Sequence, residues 1–500
     1  MTLRTPLGLT SIAVLSLIGP VNAQGNGSNG IATDPRFQQA RALFETWLDA
    51  KMDYEEIPAV SVAIVHDQDI VWKNGFGYAH RDGMAPATPQ TMYSICSISK
   101  LFTSIAVMQL RDQGKVQLYD PVANHLPWFT LEQAYEGSPP ITVEGLLTHS
   151  SGLPRETNQS YWTGPDFPFP TRAEIIEGLK QQETLYPAST YFQYSNLGLT
   201  LAGQIVEQAS GLEYGEYIRR HILAPLGMND TYPEIPQEHR DEQFATGYGR
   251  FTREGKREEV TFFQAKGIAP AAGFASTVED LAKFASWQFR LLEDNGNEVL
   301  NANTLREMHR VHWVDPDFDT MWGLGFSVSE RDGMRTVGHG GSCPGFRSAL
   351  SLVPDKKMAG VVMINAMGTN PGEVFQQMGA ILGPALESIE KDPAGATPPK
   401  PEFAMYEGLY ESHWGEDAIL RWEDGLISVG LPSGDPMDNK TKLQHVDGHT
   451  FRRVRDNGEL GEAVTFVVDA NGQVMRYSWH GNFAQRVRDL PSAGGRPGGN

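Results

Sequence analysis

The tetrapeptide Ser97-Ile98-Ser99-Lys100 holds a serine and a lysine at a spacing that could support nucleophilic catalysis. Apolar periodicity predicts a helix from near Ser97 to about Asp112, and side chains three residues apart on a helix share a face. A serine hydroxyl needs a neighbouring base before it is a good nucleophile. A partly desolvated lysine can lose its proton near neutral pH and supply that base. The alternative is a chance occurrence of a common pattern in an ordinary helix.

A second candidate, Tyr194-Ser195-Asn196, directly precedes a predicted helix. A tyrosine whose pKa is lowered by nearby ammonium groups can act as general base and general acid. An asparagine amide can orient a substrate carbonyl. The alternative is a buried tyrosine followed by Asn196 as an ordinary helix N-cap.

The third candidate is the run His339-Gly340-Gly341-Ser342, which leads into a predicted strand. Two glycines would let a substrate approach the main chain closely. A main-chain N–H there could polarise a carbonyl, as an oxyanion hole does. The alternative is a glycine turn with a surface histidine.

These motifs, in this order, resemble those of the class C β-lactamase and penicillin-binding-protein superfamily, which includes family VIII carboxylesterases and D-aminopeptidases. The resemblance runs from about Pro58 to Ile389. Four connecting segments carry it further: Leu146–Pro154, Pro225–Met228, Ala271–Thr277 and Asp280–Phe284.

The resemblance implies a role for each motif residue. Ser97 would be the acylated nucleophile, and Lys100 would assist its deprotonation and hold Tyr194. Tyr194 would be the general base in acylation and would protonate the leaving group. Asn196 would position the substrate, and the N–H groups of Ser97 and Ser342 would form the oxyanion hole. No metal or organic cofactor is implied.

His339 stands where many members of the superfamily have lysine. β-Lactamases of this class usually keep Lys-Thr-Gly there, whereas esterase and peptidase relatives often have His-x-Gly. A permanent cation helps to recognise the carboxylate of a β-lactam, and a largely neutral histidine does so less well. We therefore expect a carboxylesterase acting on short or medium acyl esters. The alternatives are a D-amino-acid peptidase or amidase, a β-lactamase, and a non-catalytic recognition protein with a degenerate penicillin-binding fold.

The elements around the motifs predict an α/β (α+β) domain of the β-lactamase/transpeptidase type, with an antiparallel sheet flanked by helices plus an all-helical region from about Val116 to Asn303. Strands at both ends of the domain, with helices between them, indicate that the two ends meet in one sheet. The strands are predicted at Val60–Val65, Ile70–Trp72, Thr336–Gly338, Phe346–Val353 and Gly360–Asn365. The helices are predicted at Thr171–Gln182, Leu197–Ala209, Tyr214–Ile222, Thr277–Leu292 and Glu373–Ile389.

A chain of 500 residues exceeds one core of ordinary size. We expect a signal peptide at 1–23, a serine hydrolase domain at 24–390, a Pro-rich linker at 391–402, an all-β domain at 403–490 and a disordered tail at 491–500. Hairpin signals such as Asn457-Gly458 predict a small antiparallel barrel or sandwich for the all-β domain. That domain could cover the cleft, mediate oligomerisation or only stabilise the protein. We expect its removal to leave a foldable first domain with altered activity.

The N-terminus has the layout of a secretory signal. Arg4 precedes an apolar run, Leu7–Ile18, and small residues follow up to Ala23. We expect cleavage near Ala23, a loose leader at Gln24–Thr33, export to the periplasm or medium, and no stable membrane span. The formal charge of −20 argues against nucleic acid as a partner. The expected partner is a small ester or amide substrate, and the oligomeric state is left open.

Cysteine, histidine and aromatic residues outside the motifs give weaker signals. Cys96 and Cys343 could form one disulfide. His309 and His312 lack the acidic partner of a zinc motif and are expected on the surface of a helix. Four aromatic residues either form an apolar wall of the cleft or pack a long loop: Tyr161, Trp162, Phe167 and Phe169.

Overall fold

The computed structural model describes residues 28–491 apart from 241, 332 and 396. The predicted signal peptide, Met1–Ala23, lies outside these residues, as does all of the predicted tail except Pro491. The prediction of a loose leader was wrong for part of its length, because α1 (Ser28–Thr33) is a helix. Its Ile31 packs against an apolar cluster of the first domain, and this contact explains the order. Among the described residues, no helix is long and apolar enough to cross a membrane.

The first domain is built on a nine-stranded antiparallel sheet. Its strands, from one edge to the other, are β3 (Ala85–Pro86), β2 (Asp69–His80), β1 (Ala59–His66), β11 (Met358–Ile364), β10 (Phe346–Val353), β9 (Met334–Cys343), β8 (Ser327–Arg331), β7 (Met321–Trp322) and β6 (Trp313–Val314). β1 pairs with β11, with Val60 opposite Ile364. The two ends of the domain therefore meet in one sheet, as predicted. A separate two-stranded pair joins β4 (Tyr93–Ser94) to β5 (Ala275–Ser276).

Helices cover both faces of this sheet, which confirms the predicted fold class. One face carries α3 (Ser99–Asp112) and α10 (Val278–Asp294), with α7 (Asn196–Ser210) packed against α3, and the other carries α2 (Pro35–Tyr54) and α12 (Pro371–Lys391). The shorter helices are α4 (Val122–His125), α5 (Val143–Leu147), α6 (Arg172–Leu179), α8 (Tyr214–Ile218), α9 (Ala269–Ala272) and α11 (Ala302–Met308).

The C-terminal domain is a closed eight-stranded antiparallel barrel. Its strands are β12 (Gly408–Ser412), β13 (Gly415–Trp422), β14 (Gly425–Leu431), β15 (Thr441–Asp447), β16 (Thr450–Val454), β17 (Leu460–Val468), β18 (Val474–Trp479) and β19 (Asn482–Arg488), with α13 (Pro436–Asn439) between β14 and β15. Alternate residues of β14 point to the inside and the outside of the barrel. Leu426 joins the aromatic interior of the barrel, and Ile427 joins the cluster that contains α2 and α12.

The barrel thus docks on the α2–α12 face, opposite the face that carries α3. Polar contacts fix the docking: Trp47 Nε1 donates to Ser433 O at 2.8 Å, and Gln377 Nε2 donates to Gly434 O at 2.7 Å. Of the three roles considered for the barrel, the contacts support stabilisation of the first domain.

Candidate active site

Ser97 lies in a short 3₁₀ turn, Cys96–Ile98, which we call the nucleophile turn. The α-helix α3 begins directly after this turn, at Ser99. Cys96 has φ of 51°, a left-handed conformation that non-glycine residues adopt at a cost. The side chain of Ser99 holds the turn, because its Oγ donates to Cys96 O at 2.5 Å and accepts from Phe274 N at 3.1 Å. Ser97 is therefore presented on a strained, well-fixed turn.

Lys100 lies beside Ser97, and its Nζ atom has three oxygen partners. Nζ is 3.1 Å from Ser97 Oγ, 2.7 Å from Asn196 Oδ1 and 2.7 Å from Ala271 O. The amide and carbonyl oxygens can only accept hydrogen bonds. A neutral amine has two N–H groups and one lone pair. When both N–H groups bond Asn196 and Ala271, the lone pair is directed at the Ser97 hydroxyl, as a base requires.

Burial favours this neutral form of Lys100. The side chain is fully buried, and loss of hydration lowers its pKa well below the ordinary value. The charge of Glu156 opposes this change in pKa, and the charge of Arg155 adds to it. The predicted placement of a partly desolvated lysine next to Ser97 is thus present in the structure.

Asn196 is the first residue of α7, and Ser195 rather than Asn196 is its N-cap. Ser195 Oγ accepts from Gly198 N at 2.8 Å. The Asn196 side chain is therefore free to join the site. Its Oδ1 accepts from Lys100, and its Nδ2 donates to Glu156 Oε1 at 2.7 Å.

Tyr194 sits between the side chains of Lys100 and Arg155 and close to Ser97. Lys100 Nζ lies 4.9 Å from the centre of its ring, and the Arg155 guanidinium carbon lies 4.8 Å from it. The expectation that ammonium groups lower the pKa of Tyr194 was nevertheless wrong. Burial is the largest influence and raises this pKa, while a hydrogen bond with Ser97 and the charge of Arg155 only partly oppose the rise. Tyr194 is therefore a neutral phenol, able to donate a proton.

His339 is buried in the cleft rather than exposed on a turn. Its ring centre lies 6.1 Å from that of Tyr194 and 5.5 Å from that of Trp322. Its Nδ1 lies 2.6 Å from Gly340 O, an acceptor, so Nδ1 carries the hydrogen and Nε2 carries the lone pair. Burial and the charge of Lys100 lower the pKa of His339 to about 3. Its Nε2 is a buried acceptor with no hydrogen-bond partner among the described residues.

Gly341 is required where β9 passes the nucleophile turn. A Cβ on Gly341 would overlap the backbone oxygen of Ile95 and the hydroxyl of Ser348. At Gly340 an added Cβ would meet only Ser348 O, at an ordinary distance of 3.7 Å. The close approach thus serves the packing of β9 against the turn. Ser342, whose N–H the resemblance assigns to the oxyanion hole, is the next residue of the strand.

A disulfide joins the two halves of the candidate site. It links Cys96, which precedes Ser97, to Cys343, which follows Ser342, with Cα atoms 5.7 Å apart. The bond therefore ties the nucleophile turn to β9. Sequence alone allowed this pairing but could not place the two Cα atoms.

Glu156 and His149 are the site residues that sequence analysis missed. Glu156 follows the segment Leu146–Pro154, and its carboxylate reaches Asn196. His149 lies within that segment, where its ring packs 4.2 Å from that of Tyr194 and its Nδ1 accepts from Ser195 N at 3.1 Å. The signal that could have found them is their position in or directly after a segment that carries the resemblance.

The histidines His309 and His312 lie outside the site. The expectation of a surface position was wrong for His309, which is buried beyond the end of α11, with Nε2 2.9 Å from Gln288 Oε1. His312 pairs with Glu144 at 2.9 Å. Within the described residues, no three His, Cys, Asp or Glu side chains are grouped to hold a metal ion.

The aromatic residues after Pro154 mainly pack a long loop. The rings of Phe169 and Phe263 stack with centres 5.2 Å apart, and Tyr161 lies 5.0 Å from Phe169. Tyr161 also reaches the site, because its hydroxyl donates to Glu156 Oε2.

Comparison with known proteins agrees with this geometry. Residues 44–382 match the family model described as Beta-lactamase. Residues 391–492, which contain the barrel, match the model described as Domain of unknown function (DUF3471).

Individual relatives are similar over most of the chain. "Beta-lactamase-like protein 2" of Dictyostelium discoideum is 26% identical over 74% of this chain and 67% of its own length. "Penicillin-binding protein 4" of Amycolatopsis lactamdurans is 26% identical over 75% of this chain and 98% of its own. Among solved structures, the octameric penicillin-binding protein homologue from Pyrococcus abyssi is 26% identical, with a TM-score of 0.60 over 88% of this chain and 98% of its own.

Proposed function

Because the chain belongs to the β-lactamase family of penicillin-binding-protein-like serine hydrolases, we propose that it is a carboxylesterase that forms an acyl-enzyme on Ser97. The observation that carries the proposal is the arrangement around Lys100. Two obligatory acceptors occupy its N–H groups, so its lone pair is left for Ser97 Oγ at 3.1 Å. The non-catalytic alternative gives no reason for a buried lysine held in this way.

The proton then follows a closed path through the site. Lys100 takes the proton of Ser97 as Oγ bonds to the ester carbonyl carbon, and the N–H groups of Ser97 and Ser342 bind the oxyanion. The alcohol leaves with the phenolic proton of Tyr194, and Tyr194 regains a proton from the Lys100 ammonium. In deacylation water takes the place of the alcohol and the steps run backwards. Tyr194 gives its proton to Lys100 and takes one from water as the water oxygen bonds to the acyl carbon. Ser97 Oγ then leaves with the proton held by Lys100, so that the acid is released and Ser97 is restored.

His339 supports a preference for esters over β-lactams. Its pKa of about 3 leaves it uncharged at neutral pH, and its unpartnered Nε2 can accept but not donate. A substrate carboxylate needs a donor or a cation, so this position disfavours it. The same acceptor could receive an N–H group. For that reason a D-amino-acid peptidase or amidase is the second candidate.

The proposed location is outside the cytoplasm. The disulfide between Cys96 and Cys343 supports it, because such bonds persist in oxidising compartments.

Substrate preference can be tested with three chromogenic compounds: p-nitrophenyl butyrate, D-alanine p-nitroanilide and an anionic cephalosporin. We expect the highest kcat/KM for the ester. His339→Lys supplies a charged donor, so it should raise the cephalosporin rate relative to the ester rate by about tenfold. A wild-type preference for the anilide would favour the peptidase, and a preference for the cephalosporin would contradict the role assigned to His339.

A further inference from the structure

We propose that Glu156 is a positioning residue that orients Asn196 and thereby aims the lone pair of Lys100 at Ser97. Glu156 acts through the Asn196 amide, which lies between Glu156 and Lys100. The inference rests on the proposed serine hydrolase function.

The first step is the orientation of the Asn196 amide. An amide has an acceptor at one end and a donor at the other, and a half-turn exchanges them. A carboxylate can only accept, so the contact of 2.7 Å between Asn196 Nδ2 and Glu156 Oε1 requires the donor end to face Glu156. The acceptor end is left facing Lys100, also at 2.7 Å.

The second step is the effect of that orientation on Lys100. When Asn196 Oδ1 faces Lys100, a neutral Lys100 donates its two N–H groups to Asn196 and Ala271. Its lone pair is then directed at Ser97. If the amide turned round, its NH2 group would face Lys100. The lone pair of Lys100 would then accept a hydrogen bond from that NH2 group, and one N–H of Lys100 would point at Ser97. Lys100 could then not accept the proton of Ser97.

Glu156 is itself held in place by the surrounding loop. Tyr161, which is fully buried, donates its hydroxyl to Glu156 Oε2. Arg155 Nε lies 3.3 Å from Glu156 Oε1, although its own side chain is 59% exposed. The Glu156 side chain is 22% exposed. Donors therefore engage both carboxylate oxygens, which fixes the orientation of the group.

The carboxylate also affects the charge state of Lys100. Four other titratable side chains surround Lys100: Arg155, His149, Tyr194 and His339. Burial keeps both histidines and the phenol uncharged, so Glu156 and Arg155 supply the fixed charges. The negative charge of Glu156 favours the ammonium form and so raises the pKa of Lys100 against the effect of burial. Removing that charge should lower this pKa.

The test is the pH dependence of Ser97 labelling by a fluorophosphonate probe. This rate reports the reactivity of Ser97 and needs no knowledge of the substrate. We expect Glu156→Gln to reduce labelling at pH 7 by about 10- to 100-fold, because it removes the constraint on Asn196. The rise of the rate with pH, which follows loss of the Lys100 proton, should move to lower pH by roughly half a unit to one unit.

Two further variants separate positioning from simple structural loss. Tyr161→Phe removes one bond to Glu156 but keeps the charge, so it should reduce labelling less and leave the pH midpoint in place. Glu177→Gln removes an exposed carboxylate of α6 that pairs only with Lys180 within the described residues, and it should change neither quantity.

The inference is overturned if Glu156→Gln labels at the wild-type rate, or if its rate falls with the pH midpoint unmoved. The second result would indicate a structural role only. If wild-type Ser97 is not labelled at all, the serine hydrolase premise itself fails. That outcome is distinct from a labelled wild type whose Glu156→Gln profile is unchanged.

Discussion

The reactivity of Ser97 depends on side chains that the fold holds away from water. Lys100 is fully buried, and loss of hydration lowers its pKa. Both N–H groups of its neutral form are engaged by Asn196 and Ala271. Tyr194 is buried as well, but burial acts on a phenol in the opposite direction and keeps its proton. One environment thus produces a base and an acid side by side.

The two glycines of the β9 motif allow a matched prediction about packing. Gly341→Ala should lower the free energy of unfolding by about 1–3 kcal/mol, because its Cβ would overlap Ile95 and Ser348. Gly340→Ala, where space is available, should change it by less than about 0.5 kcal/mol. Urea unfolding of both variants measures the difference. Equal values would contradict the close approach of β9 to the nucleophile turn.

At the scale of elements, the site is formed where the nucleophile turn and β9 meet, and the disulfide joins them. Replacing both Cys96 and Cys343 by serine should lower the free energy of unfolding by roughly 2–4 kcal/mol. It should also reduce kcat, because β9 would no longer be tied to the residue before Ser97. Thermal unfolding and ester hydrolysis measure the two effects.

Reductant provides the control for this variant. Dithiothreitol should lower the stability and the kcat of the wild type toward those of the double variant. It should leave both quantities unchanged in the double variant. A double variant with wild-type stability and activity would show that the bond is dispensable.

Elements with a regular local pattern could be predicted from the sequence. The strands at Phe346–Val353 and near Val60, and the helix that follows Ser97, have clear periodicity and were found. The three motifs, in their order, were enough to predict that Ser97, Lys100, Tyr194 and Asn196 belong to one site.

Features that depend on tertiary burial were not predicted. The helix α2 was missed because the sheet on one side and the barrel on the other bury most of its residues, so buried polar residues such as Gln39 and Glu45 interrupt its apolar pattern. Its only local signal is Asp34 followed by Pro35, a cap and a first-turn proline. The pKa direction of Tyr194 was missed for the same reason, since burial cannot be read from neighbouring residues.

The whole molecule is held together by the core that the barrel shares with α2 and α12. Truncation at residue 403 would expose this apolar face. We therefore now expect a truncated chain to be less soluble and less stable than the full chain, rather than independently foldable. Intact protein should unfold in a single transition.

A substitution on the docking face tests this coupling. Ile427→Asp places a charge in the shared core and should destabilise the whole chain by about 3 kcal/mol or more. Val467→Asp, at an exposed position on β17, is the matched control and should have little effect. Calorimetry that shows two separate transitions, with the first domain unaffected by Ile427→Asp, would contradict a shared core.

The role of Ser97 as nucleophile is tested by hydrolysis of p-nitrophenyl butyrate near pH 7 by the wild type and by Ser97→Ala. We predict turnover by the wild type and its loss in the variant, with an acyl group trapped on Ser97 in the wild type and detected by mass spectrometry. Hydrolysis that survives in Ser97→Ala, or an acyl group on another residue, would contradict the assignment of Ser97 as the nucleophile.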